Sequence, residues 1–149
     1  MRLTLAHIGA RAGAGDRFEQ LSQEYLKRIT AYESCAAEAF RSEEALLDWL
    51  DRQKGRTAPV AVLLDSRGRQ MSSEALAAWI GARRDEGIQH TIFAVGPADG
   101  WSDAARKKAQ LLLSLGPMTL AHSLARVVIA EQIYRAYTIL SGHPYHSGH

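Results

Sequence analysis

Five short apolar runs alternate along the chain with segments whose apolar residues recur at helical spacing. The runs suited to strands are RLTLAHI from Arg2, SCAAEAF from Ser34, VAVLLD from Val60, HTIFAV from His90 and LLLSL from Leu111. The third and fourth runs are apolar at nearly every position, which is typical of central parallel strands covered by helices on both faces. The alternation predicts an α/β fold with a mostly parallel sheet of about five strands and helices on both faces.

Residues that favour helix N-termini precede four of the helical segments. Asp16 with Glu19 forms a capping-box pattern, and the other capping residues are Ser42, either Ser72 or Ser73, and Ser102. No internal repeat or linker interrupts the pattern. We therefore expect a single domain over residues 1–149.

The last predicted helix, from about Ser123 to Leu140, is apolar over more than half of its circumference. Its apolar residues are Leu124, Val127, Val128, Ile129, Ile133, Ala136, Tyr137, Ile139 and Leu140. One face can pack on the sheet, but the remaining apolar surface requires another cover. Because the domain is small, a second copy of the chain would supply that cover, and the pattern predicts a homodimer through this helix.

Composition narrows the class of protein. Hydrophobic residues make up 46% of the chain and charged residues 23%, as in globular proteins and unlike disordered or fibrous ones. No apolar run approaches the roughly 20 residues of a membrane span, and the first residues lack the pattern of a signal peptide, so we expect no membrane association and a cytoplasmic location. The one cysteine, Cys35, excludes an internal disulfide and is interpreted as a small core residue rather than a nucleophile.

Charge is distributed unevenly. The net charge is only +2, which is a weak signal for nucleic-acid binding. Residues 1–99 hold 13 Lys and Arg against 14 Asp and Glu, whereas residues 100–149 hold 5 against 2, together with four of the six histidines. The chemistry and any anionic partner are therefore expected in the last third of the chain.

Three glycine-containing loops follow predicted strands. They are LDSRGRQMSSE from Leu64, VGPADGW from Val95 and LGPMTLAH from Leu115. Because ligands of open α/β sheets gather outside the carboxyl ends of the strands, the three loops could form one pocket, although ordinary turns would have the same composition. A fourth loop, GARAGAGD from Gly9, fits neither the dinucleotide-binding pattern nor the P-loop and is interpreted as a surface loop.

Polar residues of the last helix and the tail are the remaining candidates. Arg126, Glu131 and Arg135 lie on an apolar helix, so each should pair with another of the three, with a dimer mate or with phosphate. The tail GHPYHSGH carries histidines at 143, 146 and 149, but Pro144 keeps the first two off a shared helix face and no carboxylate or cysteine is nearby. We therefore expect no metal, and a frayed terminus is the plainer alternative for this tail.

The segment TLAHSLARVVIAEQIYRAYTILSGHPYH, residues 119–146, resembles the C-terminal signature of the RlmH family, the small SPOUT-class methyltransferases of large-subunit ribosomal RNA. That signature runs roughly Thr-Leu-Pro-His, then Arg, then Ala-Glu-Gln-Leu-Tyr-Arg-Ala, then His-Pro-Tyr-His. YLKRI at Tyr25, LDSRGRQMSSE at Leu64 and the loop from Gly96 to Gly100 extend the resemblance over essentially the whole chain. It implies a SPOUT-type trefoil-knotted α/β fold, with the knot in residues of about 90–146, and a homodimer.

The resemblance also implies an activity and its residues. The expected reaction is transfer of a methyl group from S-adenosylmethionine to N3 of a pseudouridine in 23S rRNA of the assembled large subunit or ribosome. His146, or His143 through water, would take the N3 proton, and Tyr145 would stack on a base. His122, Arg126 and Arg135 would face the RNA. The expected cofactor-binding residues are Leu64, Gly96, Leu115, Gly116, Pro117, Met118, Thr119, Leu120 and Ala121.

Two alternatives and three departures accompany this resemblance. A non-catalytic dimeric RNA- or ribosome-binding module would keep the arginines and the dimer but need no cofactor pocket, and a metal-binding domain would use the terminal histidines. The family's Gly-Gly-Pro-Glu-Gly is here the run from Gly96 to Gly100, in which Pro97 removes an amide N–H. Ala121 replaces the usual proline, and Ser147 replaces the usual basic residue.

Overall fold

The computed structural model of the protein describes residues 1–53 and 55–147. Strands and helices alternate throughout this part, and a short 3₁₀-helix, Pro144–His146, follows the last α-helix. His149, the last of the terminal histidines, lies outside the described residues. The elements are β1 (Arg2–Ile8), α1 (Arg17–Ile29), β2 (Ser34–Phe40), α2 (Glu43–Asp51), β3 (Val60–Gln70), α3 (Ser73–Asp85), β4 (His90–Val95), α4 (Asp103–Lys108), β5 (Leu111–Ser114) and α5 (His122–Ser141).

All strand pairs of the five-stranded sheet are parallel. The strand order is β2-β1-β4-β3-β5, so β4 and β3 occupy the interior, as their continuous apolar runs predict. Parallel strands place their carboxyl ends at one edge, and the loops after β3, β4 and β5 therefore meet there. The predicted α/β class and parallel sheet are confirmed.

Helices cover both faces of the sheet. On one face, α1, α3 and α5 bury Ile29, Ile80 and Ile133 against strand residues that include Val62 and Phe93. On the other face, α2 and α4 pack with Trp101 over a second core. The predicted N-cap residues are confirmed, since the side chain of each accepts a hydrogen bond from a backbone N–H of the first helical turn. Ser72 rather than Ser73 caps α3. The last helix begins at His122 without a side-chain cap.

The apolar circumference of α5 is covered largely within the chain. This helix packs between α1 and α3, and seven of its residues are buried there or against the sheet. Among its large apolar side chains only Leu124 stays exposed, at 39%. Packing within the chain thus covers most of the apolar surface from which the homodimer was predicted. The homodimer remains a prediction.

Strand β3 continues five residues beyond the apolar run that predicted it. Leu64 and Arg69 both pair with Leu113, so the register of β3 against β5 shifts between them. Within this irregularity, a Cβ on Gly68 would lie 2.5 Å from the carbonyl carbon of Leu112. Only glycine allows the two backbones to approach this closely.

Cys35 lies half-buried in β2, and burial raises the pKa of its thiol to about 12. It therefore stays protonated and behaves as the predicted core residue, because the thiolate is the nucleophilic form. Within the described residues, no helix combines the length and the apolar character required to cross a bilayer.

Candidate functional site

A cleft of about 720 Å³ opens at the carboxyl edge of the sheet. Its walls are formed by residues 64–67 of β3, at the irregularity in that strand, and by the ends of β4 and β5 with the loops that follow them. Its volume lies within the roughly 300–1,000 Å³ typical of pockets for small ligands. The three loops therefore form one pocket, which favours that alternative over ordinary turns.

Most of the expected cofactor-binding residues line this cleft. Seven of the nine do so: Leu64, Gly96, Leu115, Gly116, Met118, Thr119 and Leu120. The other two, Pro117 and Ala121, belong to the same loop but are not part of the lining. His122, which was expected to face RNA, also borders the cleft.

Packing around Trp101 shapes the middle wall. Its indole N–H donates to the carbonyl of Leu64 at 2.9 Å, which joins the loop after β4 to the end of β3. A Cβ on Gly96 would lie 2.6 Å from the indole ring, so glycine is needed here for packing. The turn closes with a hydrogen bond from the Gly100 amide to the Pro97 carbonyl, and Gly100 has a φ of 87° that favours glycine.

A buried ion pair forms the floor of the cleft. The Asp65 side chain is only 4% exposed, and its carboxylate accepts from Arg106 Nε at 2.7 Å and from the Arg67 amide at 2.8 Å. Burial opposes ionisation of Asp65, but the hydrogen bonds from Arg106 and the Arg67 amide, together with the two guanidinium charges, outweigh it, so the pKa of this carboxyl lies below its usual value. The sequence analysis missed this pair because its members are 41 positions apart.

Two histidines meet where β1 ends and α5 begins. The rings of His7 and His122 lie 5.7 Å apart in an edge-to-face arrangement. Burial lowers the pKa of both, and the nearby Arg126 guanidinium lowers each further. Among the described atoms, His122 Nε2 is buried without a hydrogen-bond partner. His7 was missed because its strand shows only an apolar pattern.

Both arginines of α5 are held by carboxylates. Arg126 contacts Glu19 of α1 at 2.7 Å, and Arg135 contacts Glu131 one turn earlier in α5 at 2.6 Å. All four side chains are less than one-fifth exposed. Among the pairings that the sequence left open, Arg135 and Glu131 pair with each other, whereas Arg126 takes a partner that the sequence analysis did not name.

The tail folds back along α5 as a short 3₁₀-helix. Gly142 ends α5 with a φ of 75°, which turns the chain, and His143 Nδ1 then accepts the Tyr145 amide at 3.1 Å. The Tyr145 hydroxyl donates to Glu131 at 3.2 Å. Its ring lies 4.7 Å from that of Tyr134. These contacts hold residues 143–146 in place, in contrast to the frayed end that the sequence left open.

His146 makes two side-chain contacts, and neither is with the cleft. Its Nδ1 lies 2.9 Å from Arg135, and its Nε2 lies 2.6 Å from Glu74 of α3. Arg135 follows His122 by thirteen positions in α5, which corresponds to a rise of about 20 Å. The candidate catalytic residues His143, Tyr145 and His146 do not line the cleft of their own chain.

In residues 1–53 and 55–147, no group of three or more His, Cys, Asp or Glu side chains could hold a metal ion. His143 Nδ1 already accepts the Tyr145 amide, and both ring nitrogens of His146 have polar partners in Arg135 and Glu74.

Comparisons with known proteins agree with this architecture. Two solved structures share the fold at low identity. The SpoU methyltransferase AviRb from Streptomyces viridochromogenes, in complex with the cofactor AdoMet, has a TM-score of 0.53 at 12% identity over 92% of this chain and 60% of its own. A probable methylase family protein from Haemophilus influenzae Rd KW20 has a TM-score of 0.58 at 9% identity over 98% of this chain and 70% of its own.

Sequence relatives cover the chain from end to end. The "Ribosomal RNA large subunit methyltransferase H" of Koribacter versatilis is 52% identical over 149 residues, which is the whole of both chains. The protein of the same name from Rhodospirillum centenum is 43% identical over 98% of this chain and 99% of its own. The family described as "Predicted SPOUT methyltransferase" matches residues 1–146. The chain therefore belongs to the SPOUT methyltransferase family.

Proposed function

We propose that this protein is an S-adenosylmethionine-dependent methyltransferase of large-subunit ribosomal RNA, and that it methylates N3 of a pseudouridine in the assembled subunit or ribosome. The observation that carries the proposal is the 52% identity, over the full length of both chains, to a protein named ribosomal RNA large subunit methyltransferase H. The pseudouridine and its N3 atom come from the resemblance of residues 119–146 to the RlmH signature.

The cleft suits the cofactor in size and in chemistry. Leu64, Leu115 and Leu120 offer apolar contacts for an adenine ring, and the backbone of the surrounding loops offers hydrogen bonds to the ribose and base. Met118 is 81% exposed beside the cleft, which is unusual for so apolar a side chain and is consistent with cover by a ligand or a partner. When bound, the cofactor supplies an electrophilic methyl group on a sulfonium.

The residues of the chain would then align the substrate and manage one proton. His146, or His143 through water, takes the proton of N3, because the unprotonated nitrogen of an imidazole can act as a general base. Tyr145 stacks on a base near the target. Arg126 and Arg135 exchange their carboxylate partners for RNA phosphates, which the guanidinium fork binds equally well.

A homodimer would complete the site. The tail does not line the cleft of its own chain, so the tail of a second copy is the natural source of the proton acceptor. Exposed apolar side chains at the start of α1 and α5, Phe18, Leu21 and Leu124, suit a contact between copies. Light scattering at micromolar concentration should give twice the chain mass, and a monomer would contradict the dimer.

The trefoil knot in residues of about 90–146 is part of the same proposal. It is supported by the match of residues 1–146 to the SPOUT methyltransferase family.

The proposal is tested on purified large subunits and ribosomes from a strain that lacks the gene. Incubation with the protein and the cofactor should add one methyl group, and mass mapping of the rRNA should place it on a pseudouridine. His146→Ala should lose most of this activity. Calorimetry with S-adenosylmethionine separates the enzyme from a non-catalytic binding module, since the latter would bind ribosomes without binding the cofactor.

A further inference from the structure

Glu74, in the first turn of α3, contacts the tail through the candidate catalytic residue His146. Its Oε1 lies 2.6 Å from His146 Nε2. The other ring nitrogen of His146 lies 2.9 Å from Arg135 NH1. The imidazole is thus held from two sides by groups on two different helices.

The chemistry of the two partners determines which ring nitrogen carries the proton. A guanidinium can only donate hydrogen bonds, so Nδ1 of His146 must accept from Arg135 with its lone pair. The proton of the neutral ring is therefore on Nε2, from which it is donated to the Glu74 carboxylate. In this arrangement the basic nitrogen is Nδ1, and Arg135 occupies it.

Glu74 is well placed to orient a ring. Ser72 caps α3 through the Ala75 amide at 3.0 Å, and the neighbouring Ser73 hydroxyl donates to Gln132 of α5 at 2.6 Å. These contacts hold the first turn of α3 against α5. The hydrogen bond from His146 lowers the pKa of Glu74, so the carboxylate is charged at neutral pH.

We propose that Glu74 is a positioning residue for methyl transfer: it holds His146 in the Nε2–H tautomer and aims Nδ1 at the target base. This inference rests on the proposed function. A carboxylate that orients a histidine is the general arrangement by which a base is kept in one tautomer. Glu74 itself does not touch the substrate.

The same geometry assigns a gate to Arg135. In the free protein its guanidinium covers Nδ1 of His146, which therefore cannot accept a proton. An RNA phosphate that draws Arg135 away uncovers this nitrogen. The proton of pseudouridine N3 then passes to Nδ1 while the N3 electron pair forms a bond to the methyl carbon. The sulfur–carbon bond breaks with its electron pair on sulfur, which leaves a neutral thioether, and His146 later releases the proton to water.

Three variants test the assignment. Glu74→Ala removes the acceptor, and Glu74→Gln keeps an acceptor oxygen but loses the charge. Glu86→Ala, which breaks an exposed pair with Arg83 at the other end of α3, is the matched control. Glu74 and Glu86 are 63% and 54% exposed, so all three variants should fold with an unchanged Tm.

The first measurement is nitrogen-15 NMR of histidine-labelled protein without RNA. We expect His146 as the Nε2–H tautomer in wild type and in Glu86→Ala, and faster hydrogen exchange of residues 142–147 in Glu74→Ala, where Arg135 alone still holds the ring. An Nδ1–H tautomer in wild type would overturn the proposal, whatever the methylation assay shows.

The second measurement is methylation of purified ribosomes. Because misplacing a reacting group slows a reaction strongly, kcat of Glu74→Ala should fall about tenfold or more. Glu74→Gln should be intermediate, and the cofactor Kd should be unchanged in all variants. A kcat for Glu74→Ala equal to that of Glu86→Ala would overturn the positioning role. If wild type itself transfers no methyl group but shows the Nε2–H tautomer, the proposed function is wrong, whereas the positioning of the His146 ring by Glu74 is confirmed.

Discussion

The cleft and the tail are built by different kinds of interaction. The cleft depends on backbone paths and buried contacts, in which Gly68 and Gly96 leave no room for even a methyl group and Asp65 is almost fully covered. The tail is attached by side chains near the surface, such as Tyr145 on Glu131 and His146 on Glu74.

This difference has consequences for stability and for movement. Adding atoms at a tightly packed position typically lowers the free energy of unfolding by about 1–3 kcal/mol, whereas an exposed ion pair contributes about 0–1 kcal/mol to it. Changes in the cleft should therefore alter the free energy of unfolding together with function. Changes in the tail should alter function without altering stability, because the tail can detach from α3 and α5 without unfolding the domain.

The largest effect is expected for Gly68→Ala. The added Cβ would lie 2.5 Å from backbone atoms of Leu112, which cannot rotate away as a side chain could. We expect a loss of about 3 kcal/mol in the free energy of unfolding, measured by urea denaturation. Gly13→Ala is the control, because no atom lies within 4 Å of its added Cβ. Equal urea midpoints for the two variants would contradict the close approach of Gly68 to the backbone of β5.

Arg106→Ala should have the next largest effect. It leaves the Asp65 carboxylate buried without its main partner, and since Arg106 is itself 22% exposed, a loss of about 2 kcal/mol is expected. Cofactor affinity in calorimetry should fall as well, because Asp65 lines the cleft. Lys108→Ala, which breaks an exposed pair with Asp51, should change neither quantity. An Arg106→Ala protein as stable as this control would contradict a stabilising role of the pair of Asp65 and Arg106.

Mild acid should loosen the cleft before the tail. The pKa values of His7 and His122 lie below 6.5, so their contribution to stability is complete above that pH and is lost as the pH falls below it. The pKa of Glu74 lies below 4.5, and its carboxylate therefore stays charged through this range.

The measurement is hydrogen exchange corrected for intrinsic rates. At about pH 5.5, segments around His7 and His122 should exchange severalfold faster than at neutral pH, with little change in residues 142–147. Earlier loosening of the tail would reverse the order that the two regions predict. His90, whose pKa burial lowers to about 4, should add a loss of global stability that begins below the ordinary histidine pKa of about 6.5 and grows until the pH reaches about 4.

The smallest effect is expected for Tyr145→Phe. It loses the hydroxyl contact with Glu131 but keeps the ring against Tyr134 and Arg135, so stability should change by less than about 1 kcal/mol. Tyr145→Ala should be equally stable in urea and yet lose most methylation of ribosomes, because the stacking ring is gone. A large drop in the urea midpoint of either variant would show that the tail belongs to the folded core after all.

Much of this architecture could be predicted without coordinates. Apolar runs and capping residues are local patterns, and they located all five strands, the helices and the edge at which the cleft opens. The resemblance of residues 119–146 then indicated the family. The largest boundary error was the end of β3, because residues 66–70 are mostly polar and pair only through a partner more than 40 positions away. The last strand ends at Ser114, one residue before its predicted end, and α5 extends one residue beyond its predicted limits at each end.

The chain's own order of residues therefore determined the elements, the parallel sheet and the family, since these depend on periodicity and on short motifs. Only the tertiary structure decided which distant residues contact one another. Asp65 pairs with Arg106, and His7 lies against His122. Gly68 lies close to the backbone of β5, and His146 contacts Glu74 outside the cleft. Each of these contacts joins polar or small residues that are distant in sequence. Such residues leave no periodic signal, because their partners are chosen by the packing of the apolar elements around them.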